Sequence, residues 1–129
     1  MSLAEPRFNL TEHELDEHTT VVAVEGEIHV STAPEFSRLL TDSITAGRTS
    51  MVIDLTAVEF IDSTGLSVLL NALRRVTRAG GRLALVCSNP TVLRLFEITR
   101  LDSTFEMHPK LGPAIASVQA AGDSTDGTP

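Results

Sequence analysis

Two adjacent hydroxyls, Ser63 and Thr64, stand between Asp62 and Gly65 in the run VEFIDSTGLSVLLNAL, residues 58–73. A serine beside an acid can serve as a nucleophile, line a phosphate cradle, or accept a phosphoryl group from another enzyme. DSTGL is not the G-x-S-x-G elbow, which needs small residues on both sides of its serine. It holds one glycine and no G-x-x-x-x-G-K-[ST], which argues against a phosphate cradle. His13, His18, His29 and His108 are scattered, and spacing brings none of them to Ser63. No His pair has ligand spacing and Cys87 stands alone, so neither a metal nor a cofactor is expected, and no catalytic residue is assigned. What remains is that Ser63 is acted upon. Phosphorylation would add about −1.5 to −2 charges beside Asp62 at a helix start. The helix dipole tolerates that charge, but a partner packed flat on the turn would face an unsolvated phosphate. A change of about 3 kcal/mol alters affinity more than a hundredfold.

These residues are positioned by a βαβ unit. SMVIDL (50–55) is a continuous apolar run, read as a strand of a parallel sheet, and TAVEFID is read as the loop that follows it. Leu66, Leu69, Leu70, Leu73 and Val76 repeat at helical spacing, which predicts a helix over Ser63–Ala79 with Arg74, Arg75 and Arg78 in solvent. Gly80-Gly81 stops it, and RLALVC (82–87) is the next buried strand. The crossover is expected to be right-handed. Ser63 reads as the N-cap, its oxygen accepting from the backbone N–H of Gly65 or Leu66. Gly65 is expected to keep the first turn open to a large partner. A capping serine is common and implies no function, and spacing alone favours that plain reading. Three features weigh against it: the hydroxyls and acid cluster at the carboxyl side of a parallel strand, Asp62 adds charge, and no other locus competes.

The remaining elements complete a small α/β domain. RFNLT (7–11) alternates as a short edge strand, EHELDEH is a polar turn, and TTVVAVEGE (19–27) is a strand ending at Gly26. A helix capped by Ser31 or Thr32 carries Pro34 in its first turn, buries Phe36, Leu39, Leu40 and Ile44, and closes at Gly47. Asn89 and Pro90 open a helix with Val92, Leu95, Phe96 and Ile98 inward; TFEMH is a last strand and KLGPAIASVQAA a closing helix. The fold class is α/β, a small mixed sheet with helices mainly on one face. One domain is expected over residues 1–120, with 121–129 a disordered tail.

Bulk properties agree with one compact domain. The 129 residues suit one core, and with 4% aromatic residues aliphatic side chains must fill it. A formal charge of −7 argues against nucleic acid as the partner. No apolar stretch approaches the roughly 20 residues of a membrane span, and MSLAEPRFNL lacks the pattern of a signal peptide. A cytoplasmic location follows as the expectation. Cys87, in LALVC, reads as a small core residue, and Asp54, inside a buried strand, needs a hydrogen-bond partner.

Three blocks in order carry a resemblance to the STAS-domain family of bacterial anti-sigma factor antagonists. VEGEI (24–28) resembles its G-E-[LI]-D segment, and VIDLTAVEFIDSTGLSVLL resembles its strand followed by D-S-[ST]-G-[LI]. AGGRLALVCSNPTVLRLFEITRL resembles the next strand and helix, with the likeness spanning about residues 7–118. The resemblance implies a non-enzymatic partner switch. An anti-sigma factor that is also a serine kinase of GHKL ATPase type would phosphorylate Ser63. The unphosphorylated protein would bind that kinase and free its sigma factor, and a PP2C-type phosphatase would reset the cycle. Asp62, Thr64, Gly65, Leu66, Ser67, Glu27, His29 and Ser31 would then surround the phosphosite and meet the partner.

His29 stands where the family segment usually ends in Asp, and Ser67 replaces a frequent glycine. His29 reads more simply as a surface loop residue than as a pH sensor, and Thr64 as a residue shaping the turn rather than a second acceptor. The arginines of the central helix read as a solvated face. A homodimer is compatible with the sequence. The competing functional reading is a constitutive STAS scaffold or accessory subunit, like those of stressosomes or lipid transport, never phosphorylated. Nucleotide binding by the domain itself is a third.

Overall fold

Alternating apolar strands and amphipathic helices fold into one sheet with helices on both faces. The computed structural model describes the backbone of residues 8–127 and side chains through residue 120. The elements are β1 (Phe8–Glu14), β2 (Thr19–Ile28), α1 (Ala33–Thr45), β3 (Ser50–Ile61), α2 (Ser63–Arg78), β4 (Arg82–Val86), α3 (Pro90–Ile98), a 3-10 turn (Leu101–Ser103), β5 (Glu106–His108) and α4 (Leu111–Gly127). The strands lie in the order β1-β2-β3-β4-β5, with β1 antiparallel to β2 and the other pairs parallel.

One face of the sheet carries three helices, the other carries α4. Phe36 and Leu40 of α1, Leu66, Leu69 and Val76 of α2, and Val92 and Phe96 of α3 pack on Val22, Val24, Ile53, Leu55 and Leu85. On the opposite face Ala114 and Val118 of α4 cover Val21, Val52, Ala84 and Val86. The fold class read from the sequence is therefore the one observed. Aliphatic packing dominates as expected, and Phe96 and Phe105 meet edge to face with centroids 5.9 Å apart. Cys87 is buried at 3% exposure, and burial pushes its thiol pKa up, as suits a small core residue rather than a nucleophile.

Several boundaries differ from the sequence reading. β3 does not stop at Leu55 but runs twelve residues to Ile61, absorbing most of the expected TAVEFID loop. β2 passes through Gly26, where φ of 101° accompanies a slip in its register with β3, and ends at Ile28. β1 takes in Glu12, His13 and Glu14 from the expected polar turn. Ile98 is 66% exposed, not inward. Gly47, at φ 97°, follows α1 as expected. The backbone of α4 continues past residue 121 to Gly127, into the stretch whose composition predicted no structure; residues 128 and 129 lie outside the described residues.

Glu12 shows why an acid belongs in β1. Its Oε2 accepts from Thr20 Oγ1 at 2.7 Å, from Arg48 Nε at 3.2 Å and from Ser43 Oγ, tying the edge hairpin to α1. Glu106 does the same elsewhere: Arg82 Nε, His108 Nε2 and Ser117 Oγ converge on it, fastening α4 to β4 and β5. Burial raises both carboxyl pKa values, but the surrounding hydrogen bonds and arginines outweigh it, so both are held below their ordinary value of 4.5. The depressed native pKa means that the ionised carboxylates stabilise the fold at neutral pH. As pH falls through about 4.5 the unfolded chain takes up protons first, and the contribution drains away. Chemical denaturation at pH 7 should therefore show Glu12→Gln destabilised by about 1–3 kcal/mol. The difference from wild type should shrink at more acidic pH; a constant difference would refute the linkage.

Candidate functional site

The Ser63 turn is built where β2 and β3 end together. Asp62 N–H donates to Ile28 O at 3.1 Å, which sews the residue just after β3 to the end of β2. Asp62 then adopts an extended conformation, φ −107° and ψ −173°, and its carboxylate accepts from Gly65 N–H at 3.1 Å. Its carbonyl accepts from Leu66 N–H at 3.0 Å. Asp62 is therefore the N-cap of α2, and Ser63 is the first helical residue rather than the cap. The physical reason is geometric: a cap needs non-helical backbone, and Asp62 is the residue that turns the corner from strand to helix.

This correction changes what the serine is free to do. Ser63 is exposed and its hydroxyl makes no hydrogen bond among the described residues. Thr64 is half-buried, Leu66 is anchored in the core at 6% exposure, and Ser67 is exposed one turn along. Gly65 also differs from expectation. It is buried, and a Cβ there would lie 2.6 Å from Ile61 Cγ1 and 2.7 Å from Ile28 Cγ2. The glycine lets the helix start sit down on the strand ends; it does not hold a space open for a partner.

The neighbouring loop, residues 29–32, is held by its own side chains. Thr32 Oγ1 donates to Glu27 O at 2.8 Å and accepts from His29 N–H at 2.9 Å. Thr32 is the cap position of α1, with Ser31 exposed before it, and its hydroxyl closes the loop instead of bonding to the helix. Ser31 N–H donates to His29 Nδ1 at 3.2 Å, which places the neutral ring's proton on Nε2, 3.6 Å from Glu27 Oε1. Thus Glu27, His29 and Ser31 from the end of β2, and Asp62 to Ser67 from the end of β3, share the carboxyl rim of the sheet. His29 organises its loop through its ring and backbone.

Two apolar residues on this rim had no sequence signal of their own. Val30 is 69% exposed and Phe60 is 48% exposed. Phe60 was hidden in the presumed loop, and lies opposite Glu27 in the β2–β3 register. Asn89, the N-cap of α3, accepts from Thr91 N–H at 2.8 Å and donates from Nδ2 to Val58 O at 3.2 Å, bracing the same end of β3. Asp54 finds its partners locally, in Thr56 N–H and Oγ1. No histidine bonds to Ser63, and among the described residues no three metal-binding side chains converge. No described helix is long and apolar enough to cross a membrane.

Comparison with known proteins places this architecture. The anti-sigma-B factor antagonist of Listeria monocytogenes is 35% identical over 86 residues, covering 67% of this chain and 75% of that protein. The crystal structure of an anti-sigma factor antagonist from Mycobacterium paratuberculosis superposes with a TM-score of 0.80 at 31% identity, covering 88% of this chain and 95% of that one. The anti-sigma factor antagonist SpoIIAA in its unphosphorylated form shares the fold at a TM-score of 0.75 and 23% identity, covering 88% and 97%. The Bacillus cell fate determinant SpoIIAA in its phosphorylated form does so at 0.63 and 18%, covering 92% and 99%. The STAS domain pattern matches residues 10–114, β1 through the first turn of α4, and the chain belongs to the STAS domain family.

Proposed function

We propose that this protein is an anti-sigma factor antagonist, not an enzyme, and that phosphorylation of Ser63 switches it off. The observation that carries the reading is the free, exposed Ser63 hydroxyl at the first position of α2, with Asp62 doing the capping. A serine occupied as a cap would have to leave its N–H partner to react; this one does not. The names of the relatives and the likeness to SpoIIAA in both forms support the same reading. In the cycle, a GHKL-type anti-sigma factor kinase transfers the γ-phosphoryl of ATP to Ser63 Oγ, releasing ADP and the hydroxyl proton. A PP2C-type phosphatase hydrolyses the ester. The unmodified protein occupies the kinase, and the sigma factor is freed without touching this chain. The switch operates in the cytoplasm, within one domain spanning residues 1–120.

The test is phosphate-affinity gel mobility after incubation with ATP and each purified GHKL-type anti-sigma factor kinase of the source genome. Wild type is expected to shift fully with its cognate kinase, and Ser63→Ala not at all. A shift of Ser63→Ala equal to wild type would remove Ser63 as the acceptor.

A further inference from the structure

Asp62 and Ser63 are both of the residue types that cap helices, and the start of α2 has room for one cap. Asp62 holds it. Its Oδ1 accepts from Gly65 N–H at 3.1 Å, its carbonyl accepts from Leu66 N–H at 3.0 Å, and its backbone is extended. Two features favour this start over one a residue later. The bond from Asp62 N–H to Ile28 O keeps residue 62 in strand-like backbone. A carboxylate also accepts from an amide more strongly than a hydroxyl does, and it meets the positive end of the helix dipole. Ser63 is left exposed at the first helical position, its hydroxyl without a partner among the described residues.

The competing arrangement lies one residue away. With Ser63 as the cap, Leu66 N–H would leave Asp62 O and become the donor that a capping Ser63 Oγ accepts. That oxygen would be turned back over the first turn of α2. In phosphoryl transfer Oγ must form the bond to the γ-phosphorus of ATP while the bond to ADP breaks and the hydroxyl proton leaves to solvent. A capping oxygen could do so only after giving up its N–H. The next helix shows a hydroxyl committed in this manner: Thr32, at the cap position of α1, uses Oγ1 to bond Glu27 O and His29 N–H.

We propose that Asp62 is a positioning residue for the phosphoryl transfer: by capping α2 it keeps Ser63 from taking the cap, and so keeps Oγ available to the kinase. This rests on the Ser63 reading above and assigns the residue that makes the acceptor available. Removing the Asp62 side chain turns the phosphoacceptor into a structural residue.

A thermal double-mutant cycle tests the competition without any kinase. With Asp62 present, Ser63→Ala should leave the melting temperature within about 1 °C of its parent; in the Asp62→Ala background, where the serine caps, it should lower it by about 3 °C or more. In the Asp62→Asn background, whose amide oxygen can cap, the loss should vanish again. Steady-state phosphorylation by the purified kinase that modifies wild type is the second readout. Asp62→Ala should lower kcat about fivefold or more with KM within about twofold, and Asp62→Asn should restore kcat. Equal melting losses for Ser63→Ala in the wild-type and Asp62→Ala backgrounds would overturn the proposal and leave the Ser63 reading standing. An unchanged kcat in Asp62→Ala would overturn the positioning role. A kcat loss in Asp62→Asn equal to that in Asp62→Ala would also overturn it, assigning the effect to the lost charge. Failure of every kinase to modify wild type would overturn the Ser63 reading and this proposal together.

Discussion

Ser63→Asp should lower affinity for the anti-sigma factor by more than about a hundredfold, corresponding to about 3 kcal/mol, while leaving the fold intact. The two halves of that expectation have separate causes. At the first position of α2 a carboxylate meets the positive end of the helix dipole, which stabilises it by about 0.3–1 kcal/mol. The Asp62 cap and the buried Leu66 are untouched, so the melting temperature should hold or rise slightly. In the complex the same carboxylate must be stripped of water against the docked partner. A charge buried without a counter-ion costs several kcal/mol. Ser63→Ala removes no hydrogen bond within the described residues, and its affinity should stay within about threefold of wild type. Titration calorimetry separates the outcomes: tight binding by Ser63→Asp would refute electrostatic exclusion, and a lowered melting temperature would place the effect in the fold.

The contrast between Ser63 and Asp62 shows how far the sequence could be read. D-S-T-G offers two adjacent capping residues, and periodicity locates a helix start only to within one or two positions. Backbone torsion decides between them: Asp62 is extended and Ser63 helical, a difference set by the bond from Asp62 N–H to Ile28 O across two strands. Long-range pairing of that kind leaves no local trace. By contrast, Asn89-Pro90 fixed the start of α3, because a proline at the first helical position and an Asx cap are both local. The one-face patterns of α1 and α2 were legible for the same reason.

The second half of β3 was missed because its burial does not alternate. From Thr56 to Ile61 it runs exposed, exposed, buried, exposed, exposed, buried, which resembles neither a strand nor a helix. The slips opposite Ala23/Glu25 and Gly26/Glu27 cause this, by inserting residues into one strand of the pair. Reading TAVEFID as a loop hid Phe60, which the strand holds exposed at the same end of the sheet as Ser63. Glu12 was hidden in the same way, since an acid at the head of the polar run EHELDEH looks like part of a turn until Arg48, thirty-six positions later, comes to meet it.

Gly81→Ala should be the most damaging of the single-methyl additions, and should damage stability without touching the switch. Gly80 and Gly81 together end α2, but for different reasons. Gly80 has φ 81° with nothing near its missing Cβ, so alanine there suffers backbone strain alone, about 1–2 kcal/mol. Gly81 lacks a positive φ, yet a Cβ would fall 2.1 Å from the carbonyl oxygen of Thr49. That oxygen accepts from Arg82 N–H at 2.8 Å, while Gly81 N–H donates to Val76 O at 2.8 Å. The obstacle is backbone on both sides, so the methyl can be admitted only by parting the starts of β3 and β4. The cost belongs at the upper end of overpacking, about 3 kcal/mol. Urea denaturation should show that loss. Because the collision lies at the amino ends of the strands and Ser63 at the carboxyl ends, the phosphorylation rate of folded Gly81→Ala should match wild type. Gly65→Ala supplies the control: its methyl presses on Ile61 and Ile28 beneath the turn itself, so it should lose both stability and phosphorylation rate. Equal phosphorylation rates for the two variants would show that the seat of the helix start does not govern access to Ser63.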